Sequence, residues 1–110
     1  MSLLHRHCTH GAPALDEASI AALRSKVPDW QIDGGMLRRE FRFADYPATI
    51  AFVNAVAVMA EQENHHPELL VRWGRCTVGW TTHSAGNALS MNDVLCAAKT
   101  DALFAQGAAA

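Results

Sequence analysis

Three histidines near the middle of the chain are the residues whose types and spacing most clearly suggest chemistry. His65 and His66 are adjacent and precede Pro67, and His83 lies one predicted hairpin further along the chain. Imidazole gains and loses a proton near neutral pH, so a group of histidines can supply one proton and remove another in a single reaction. Glu61 lies one helical turn before His65, where its carboxylate is expected to pair with that ring. The sequence therefore predicts a proton-transfer site.

The three rings are expected to lie in different electrostatic environments. His66 precedes a proline and is pushed toward an extended backbone, whereas His65 can remain in the last turn of a helix. Both lie near the negative end of that helix dipole, which favours the protonated ring. His83 follows a predicted strand and lacks this influence. The pattern predicts an acid and a base set apart by their surroundings, as elimination of water requires, and it leaves open which histidine takes which role.

Trp73 and Asp93 continue the same stretch, and each has a structural explanation beside a functional one. Trp73 is predicted to be a core residue at a hairpin turn, with stacking on a ligand as the alternative. Asp93 is predicted to complete a capping box with Ser90 at the start of the last helix, with a catalytic role as the alternative.

A metal site is the competing interpretation of the histidine group. The side chains of His65, His66, His83 and Glu61 are all ligands that zinc accepts. Adjacent histidines chelate poorly from one helical turn, however, and the spacing matches no established zinc motif. A further set near the N-terminus could collect a metal incidentally: His5, His7, Cys8 and His10. We therefore predict that the protein has no metal.

The composition excludes several classes of protein. A chain of 110 residues, half of them hydrophobic, is predicted to form one globular domain. The net charge of −2 gives no case for nucleic acid as a direct partner. No apolar run approaches the roughly 20 residues that a membrane helix needs, and the N-terminus lacks the apolar segment of a secretory signal. Three widely spaced cysteines are typical of free thiols in a reducing compartment, so we expect a cytoplasmic protein.

The elements that must position the histidines are three helices and two hairpins. Their predicted ranges are 16–26, 45–64 and 90–106 for the helices, and 30–32 with 36–43 and 69–73 with 76–82 for the strands. The order α-β-β-α-β-β-α predicts an α+β domain of two layers rather than alternating parallel units. Residues 1–14 show no periodicity and are predicted to be a flexible lead-in, with the single domain at 15–106.

The second hairpin is expected to turn at Gly74-Arg75, which would pair Trp73 with Cys76. Strand alternation would then place Trp73 on the buried face of the sheet. The residues expected to share that face are Leu69, Val71, Trp73, Cys76, Val78 and Trp80, with Thr77, Gly79, Thr81 and His83 on the other.

The motif E-x3-H-H-P-x5-W-x9-H-x9-D, from Glu61 to Asp93, resembles the pterin-4a-carbinolamine dehydratase family. The resemblance covers about residues 15–106 and includes Pro28-Asp29-Trp30, the segment from Thr81 to Gly86, and Asn92-Asp93. Asn64 and Leu69 stand where some relatives carry aspartate and tryptophan.

The resemblance implies a four-stranded antiparallel sheet with helices packed on one face, assembled as homodimers or homotetramers. It also implies dehydration of a 4a-hydroxytetrahydropterin to the quinonoid dihydropterin, without metal or organic cofactor, in the recycling of tetrahydropterin for aromatic amino-acid hydroxylation. The family's acid–base residues correspond to His65, His66 and His83, and its acidic position to Glu61. The residues that correspond to the pterin pocket are Asn64, His65, His66, Pro67, Thr81, Thr82 and His83.

Two alternatives to this activity remain open. The first is a dehydratase-like protein of another pathway, such as molybdenum-cofactor metabolism. The second is a dimerisation or binding partner without catalysis, in which an exposed face such as that of Arg38, Glu40 and Arg42, or one side of the final helix, would form the contact. An aromatic amino-acid hydroxylase is a further partner that the resemblance suggests.

Overall fold

Two antiparallel hairpins join into one four-stranded sheet that carries the helices. The computed structural model describes residues 3–108. Its elements are α1 (Glu17–Arg24), β1 (Gln31–Asp33), β2 (Met36–Arg42), α2 (Tyr46–Glu63), β3 (Glu68–Arg72), β4 (Arg75–Trp80) and α3 (Met91–Leu103). The strand order β1-β2-β4-β3 places the second strand of each hairpin at the centre of the sheet. The predicted element order and the α+β class are confirmed.

Capping residues determine where helix α2 begins and ends. The Asp45 side chain accepts a hydrogen bond from the Ala48 N–H, and Pro47 occupies the first turn, where it needs no hydrogen-bond partner. Asn64 ends the helix in the left-handed conformation, with φ of 51°. The chain therefore leaves the helical path one residue before His65.

The core lies between one face of the sheet and the two long helices. Leu37 and Phe41 of β2 are buried, while the neighbouring Arg38, Glu40 and Arg42 are exposed on the opposite face. Alternation along the strand thus separates a packed face from an open one. The residues that fill the core opposite the sheet include Phe52, Val56, Met59, Val94, Cys96 and Ala97.

The predicted turn of the second hairpin is wrong by one residue. Arg72 pairs with Arg75 and Val71 with Cys76, so the two loop residues are Trp73 and Gly74. Backbone contacts hold this arrangement, because the Gly74 carbonyl accepts from the Phe43 N–H. The observed register differs from the predicted one by two residues. Because side chains alternate between the faces with a period of two, the other inner-face residues keep their side of the sheet. Trp73 itself is 66% exposed at the turn and is not a core residue.

Helix boundaries differ from the predicted ones at two C-terminal ends. Helix α1 ends at Arg24 because the next residues form tight turns, with the Val27 N–H bonded to the Arg24 carbonyl. Helix α3 ends at Leu103 and continues as a wider turn over Phe104–Ala108. Among residues 3–108, no helix has both the length and the apolarity needed to cross a membrane.

The N-terminal segment lies against the helices. A short 3-10 turn at Leu3–His5 contacts α3, and Ala12 is buried. The Leu15 N–H donates to the Leu89 carbonyl just before α3. The flexibility of residues 1–14, and the domain boundary after them, stay predictions.

Candidate functional site

A cleft of about 700 Å³ opens where α2 ends, β4 ends and α3 begins. His65, His66 and His83 all line it, together with Asn64 and Pro67. The fold thus brings the three predicted histidines into one cavity. Pockets of this size commonly hold small organic ligands.

His65 is the most enclosed of the three rings, with a side chain only 12% exposed. Its ring stacks on the buried Trp80 indole at a centroid distance of 5.5 Å and an angle of 16°. Its Nε2 lies 2.7 Å from Oδ1 of Asp93. The predicted pairing of His65 with Glu61 is therefore wrong, because the left-handed Asn64 interrupts the helical spacing that would have aligned them.

Asp93 serves both a helix cap and a histidine. It is fully buried, and its Oδ2 accepts hydrogen bonds from the Ser90 N–H at 2.9 Å and from the Thr82 hydroxyl at 2.7 Å. The predicted capping box is confirmed. An ionised carboxylate only accepts hydrogen bonds, so His65 presents Nε2–H to Asp93 and keeps Nδ1 for exchange with another molecule.

His66, rather than His65, is the hydrogen-bond partner of Glu61. Its Nε2 lies 2.8 Å from Oε1 of Glu61, and both side chains are exposed. The two adjacent histidines therefore point to different partners, one toward α3 and one back along α2.

His83 opens a 3-10 turn, His83–Ala85, that follows the end of β4. Its Nδ1 lies 2.7 Å from Oδ1 of Asn87. Since that amide oxygen only accepts, His83 donates from Nδ1 and leaves a lone pair on Nε2. Asn87 adopts the left-handed conformation with φ of 58°, and no motif in the sequence identified it as this partner.

The two threonines that line the cleft have hydroxyls already bonded to the protein. Thr81 donates to the Gly35 carbonyl at 2.5 Å, and Thr82 donates to Asp93. The Thr81 hydroxyl can therefore accept a hydrogen bond from a ligand but has no second proton to donate. The Thr82 hydroxyl is buried and also has the Ser90 hydroxyl 2.7 Å away, from which it accepts, so its hydrogen bonds lie within the protein. Trp73 does not line this cleft.

In the part of the chain that the structure describes, the three histidines do not share a common partner. The three rings bond separately to Asp93, Glu61 and Asn87. Within residues 3–108, no three or more side chains of histidine, cysteine, aspartate or glutamate are grouped so that they could hold a metal ion.

Several cleft residues were not predicted from the sequence. The N-terminal segment contributes Cys8, Thr9, His10 and Gly11, and α3 contributes Asn92. The segment lacks the periodicity that signals a regular element, so nothing in its sequence indicated that it would form a wall.

Glu63 is a second buried carboxylate of the site, beside Asp93. Its burial would raise the pKa, but the Cys8 N–H, His7 and Lys99 outweigh that effect and lower the pKa below the usual value for glutamate. The carboxylate is therefore ionised and holds the N-terminal segment through hydrogen bonds of 2.8 Å to the Cys8 N–H and to His7 Nδ1.

Cys8 and Cys96 lie side by side near the cleft, with their sulfur atoms 3.5 Å apart. The hydrogen bond that Cys96 shares with Cys8, together with burial, raises the pKa of the Cys96 thiol well above its usual range. Cys96 is thus a protonated, unreactive thiol that packs as a small apolar side chain.

Comparison with known proteins gives one consistent family. A model of the family described as "Pterin 4 alpha carbinolamine dehydratase" matches residues 13–103. A Chromobacterium violaceum protein named "Putative pterin-4-alpha-carbinolamine dehydratase" is 49% identical over 106 residues, which are 94% of this chain and 97% of that protein. A protein of the same name from Xanthomonas axonopodis pv. citri is 52% identical over 95 residues, covering 84% of this chain and 80% of that protein.

Solved structures show the same likeness. The Brucella melitensis "transcriptional coactivator/pterin dehydratase" aligns with a TM-score of 0.76 and 30% identity, over 82% of this chain and 97% of its own. A pterin dehydratase-like protein described as a RuBisCO assembly factor in the alpha-carboxysome aligns with a TM-score of 0.57 and 27% identity, over 67% of this chain and 84% of its own.

Proposed function

Because the chain belongs to the pterin-4-alpha-carbinolamine dehydratase family, we propose that it dehydrates a 4a-hydroxytetrahydropterin to the quinonoid dihydropterin. The observation that carries the proposal is the meeting of His65, His66 and His83 in one cleft. Histidine is the side chain suited to moving protons in both directions near neutral pH.

The reaction needs one proton delivered and one removed. An acid protonates the hydroxyl on C4a, which leaves as water while the N5 electron pair forms a double bond to C4a. A base takes the proton from N5. Placed acids and bases each contribute about 10²–10⁴-fold to such a reaction.

The hydrogen bonds of the rings support one assignment of roles. His83 donates from Nδ1 to a neutral amide and keeps its Nε2 lone pair, which suits the base that takes the N5 proton. His65 and His66 each face a carboxylate, Asp93 and Glu61, which stabilises the charge of a proton donor. The acid in this proposal belongs to the His65–His66 pair.

Single alanine variants at the three histidines test the proposal. Each should lower kcat/KM for carbinolamine dehydration at least about tenfold while the circular dichroism spectrum shows that the fold survives. His65→Ala should also lower the melting temperature, because it removes a partner of the buried Asp93. The matched control is His5→Ala, because His5 is exposed and does not line the cleft. Full activity in all three variants, or a wild-type protein that fails to accelerate dehydration, would contradict the proposal.

The same assay tests whether a metal takes part. Activity should persist after dialysis against a chelator, since the proposed proton transfers use only the histidine rings. Loss of activity on chelation, with recovery on adding zinc, would instead support a metal enzyme.

We further propose a cytoplasmic homo-oligomer that recycles tetrahydropterin beside an aromatic amino-acid hydroxylase. Exposed Leu70, Val58 and Trp73 give apolar surface that a second copy could cover. Light scattering on the purified protein gives the mass in solution, and a coupled hydroxylase assay gives the pathway. A monomeric mass, or a hydroxylase rate unaffected by the protein, would remove the corresponding part of the proposal.

A binding role without catalysis is the second candidate, favoured by the assembly-factor description of one structural neighbour. The triple variant His65→Ala, His66→Ala, His83→Ala separates the two functions. Under the binding role, wild-type protein has no dehydratase activity and the variant supports partner assembly as well as wild type does. Under the enzymatic role, the variant loses the activity that wild type shows.

A further inference from the structure

The N-terminal residues 8–11, which we call the strap, form one side of the cleft. We propose that the strap is a substrate-binding wall, that His10 contacts the bound heterocycle, and that Glu63 and Asn92 are positioning residues that hold the strap there. This inference rests on the proposed function and assigns the strap a part in recognising the pterin.

Asn92 fixes the strap through two hydrogen bonds to one residue. Its Oδ1 accepts from the Thr9 N–H at 3.0 Å, and its Nδ2 donates to the Thr9 carbonyl at 2.9 Å. The Asn92 amide thus pairs with the strap backbone as a neighbouring strand would. Because Asn92 is buried, loss of these bonds would leave its amide unsatisfied, which is unfavourable.

Glu63 fixes the residues on the other side of Thr9. Its two oxygens accept from the Cys8 N–H and from His7 Nδ1, while Lys99 Nζ lies 3.6 Å away. The Glu63 side chain is only 5% exposed, and a buried carboxylate without partners is unfavourable. The hydrogen bond from the strap backbone therefore helps to stabilise the buried charge of Glu63.

The two anchors are the sequence neighbours of the His65–Asp93 pair. Glu63 is the last residue of α2, two positions before His65, and Asn92 directly precedes Asp93 in α3. The strap thus bridges the same two helix ends that the His65–Asp93 hydrogen bond joins. Holding the strap also holds these helix ends together.

His10 is the strap side chain most available to a ligand. It is exposed, lines the cleft, and makes no hydrogen bond with any other residue in the part of the chain from 3 to 108. Gly11 follows with φ of 72°, a conformation that lets the backbone turn away from the cleft after His10. Both nitrogens of the His10 ring, and its flat face, are therefore free to contact a planar heterocycle with polar edges.

The first test measures binding of unsubstituted pterin, an unreactive fluorescent ring, together with steady-state kinetics. His10→Ala should raise both the Kd of pterin and the KM of the carbinolamine about three- to tenfold, with kcat within about twofold of wild type. His5→Ala, a histidine of the same segment outside the cleft, should match wild type in all three quantities. Unchanged Kd and KM in His10→Ala would overturn the inference.

The second test measures whether the anchors hold the strap, without reference to turnover. In wild type the amide protons of Cys8 and Thr9 should exchange slowly with deuterium, and in Glu63→Ala they should exchange about tenfold faster. Glu63→Gln, which keeps the shape but not the charge, serves if the alanine variant unfolds, and Glu17→Ala on exposed α1 is the control. Equal exchange in wild type and in the folded Glu63 variants would overturn the role of Glu63.

The two proposals fail in different ways. A wild-type protein that turns over substrate and binds pterin, with His10→Ala indistinguishable from it, would overturn the strap inference and leave the dehydratase proposal standing. A wild-type protein that neither binds pterin nor accelerates dehydration would overturn both.

Discussion

The hydrogen bond between His65 and Asp93 links a reactive ring to the first turn of a helix. Asp93 is buried and receives three hydrogen bonds, from His65, Ser90 and Thr82. The position of its carboxylate is therefore fixed before any ligand arrives, and the ring it holds is fixed with it. Trp80 supports the ring from one face.

Replacing Asp93 with asparagine should separate positioning from packing. We expect Asp93→Asn to lower kcat at least about tenfold, because an amide can donate to the ring and hold the wrong tautomer of His65. The fold should survive, since asparagine keeps the size of the side chain. Ser90→Ala is the matched control, because it removes the cap and costs about 1 kcal/mol of unfolding free energy but leaves the His65–Asp93 bond in place. Equal kcat in wild type and Asp93→Asn would contradict this account.

Only some features of the individual site residues could be predicted from the sequence. The histidines could be identified because their types and spacing belong to a specific motif. The hydrogen-bond partner of Glu61 could not be predicted. The left-handed conformation of Asn64 changes the direction of the chain, so that His66 rather than His65 bonds to Glu61. Asp93 was correctly assigned to a cap, but one carboxylate with two oxygens can serve a second partner that local sequence does not reveal.

At the scale of elements, the turn of the first hairpin supports the loop that carries His83. Gly35 packs so closely on this loop that a Cβ atom built there would lie 2.0 Å from the Asn87 carbonyl oxygen. The Gly35 carbonyl also accepts from the Thr81 hydroxyl. Asn87 in turn forms a hydrogen bond with His83. The turn therefore influences the position of the proposed base through its contact with Asn87.

Gly35→Ala should therefore displace the loop and affect catalysis as well as stability. We expect a loss of about 1–3 kcal/mol in the free energy of unfolding from the backbone clash, and a larger fall in kcat than in pterin affinity. Gly34→Ala is the matched control: its φ of 58° makes alanine strained there, but nothing lies within 4 Å of the added carbon. Urea unfolding and steady-state kinetics on both variants give the comparison. A kcat that falls equally in the two would show that turn strain, not loop displacement, is responsible.

The elements themselves were predictable to the extent that local signals define them. Asp45, Pro47 and the Ser90–Asp93 box marked helix starts correctly, because caps are local chemistry. The second hairpin turn was predicted one residue too late, because Gly74 fits a two-residue loop at either position. The observed register also satisfies the Trp73 carbonyl, which accepts from the distant Thr49 hydroxyl. Such long-range contacts cannot be predicted from a short stretch of sequence.

At the scale of the whole molecule, one buried and one half-buried carboxyl group join distant parts of the chain. Glu63 connects α2 with the N-terminal segment, and Asp101 of α3 accepts from the Trp30 indole and from Arg39 of β2. The pKa of Glu63 lies below its usual value, whereas burial raises the pKa of Asp101 despite the hydrogen bonds from Trp30 and Arg39, which lower it. The two groups therefore make stability depend on pH with opposite signs.

The contribution of Glu63 can be isolated because Asp101 is the same in wild type and in Glu63→Gln. A carboxyl whose pKa is lowered by folding stabilises the protein above its unfolded pKa, and that stability is lost as the pH falls through the folded value. We expect Glu63→Gln to lower the free energy of unfolding by about 1.5–3 kcal/mol near pH 7, the range for hydrogen bonds to a charged group. The difference from wild type should shrink as the pH falls below the ordinary glutamate pKa of 4.5. Urea unfolding followed by tryptophan fluorescence across this range measures it. A difference that stays constant down to about pH 3 would show that the Glu63 charge does not hold the N-terminal segment to the two helices.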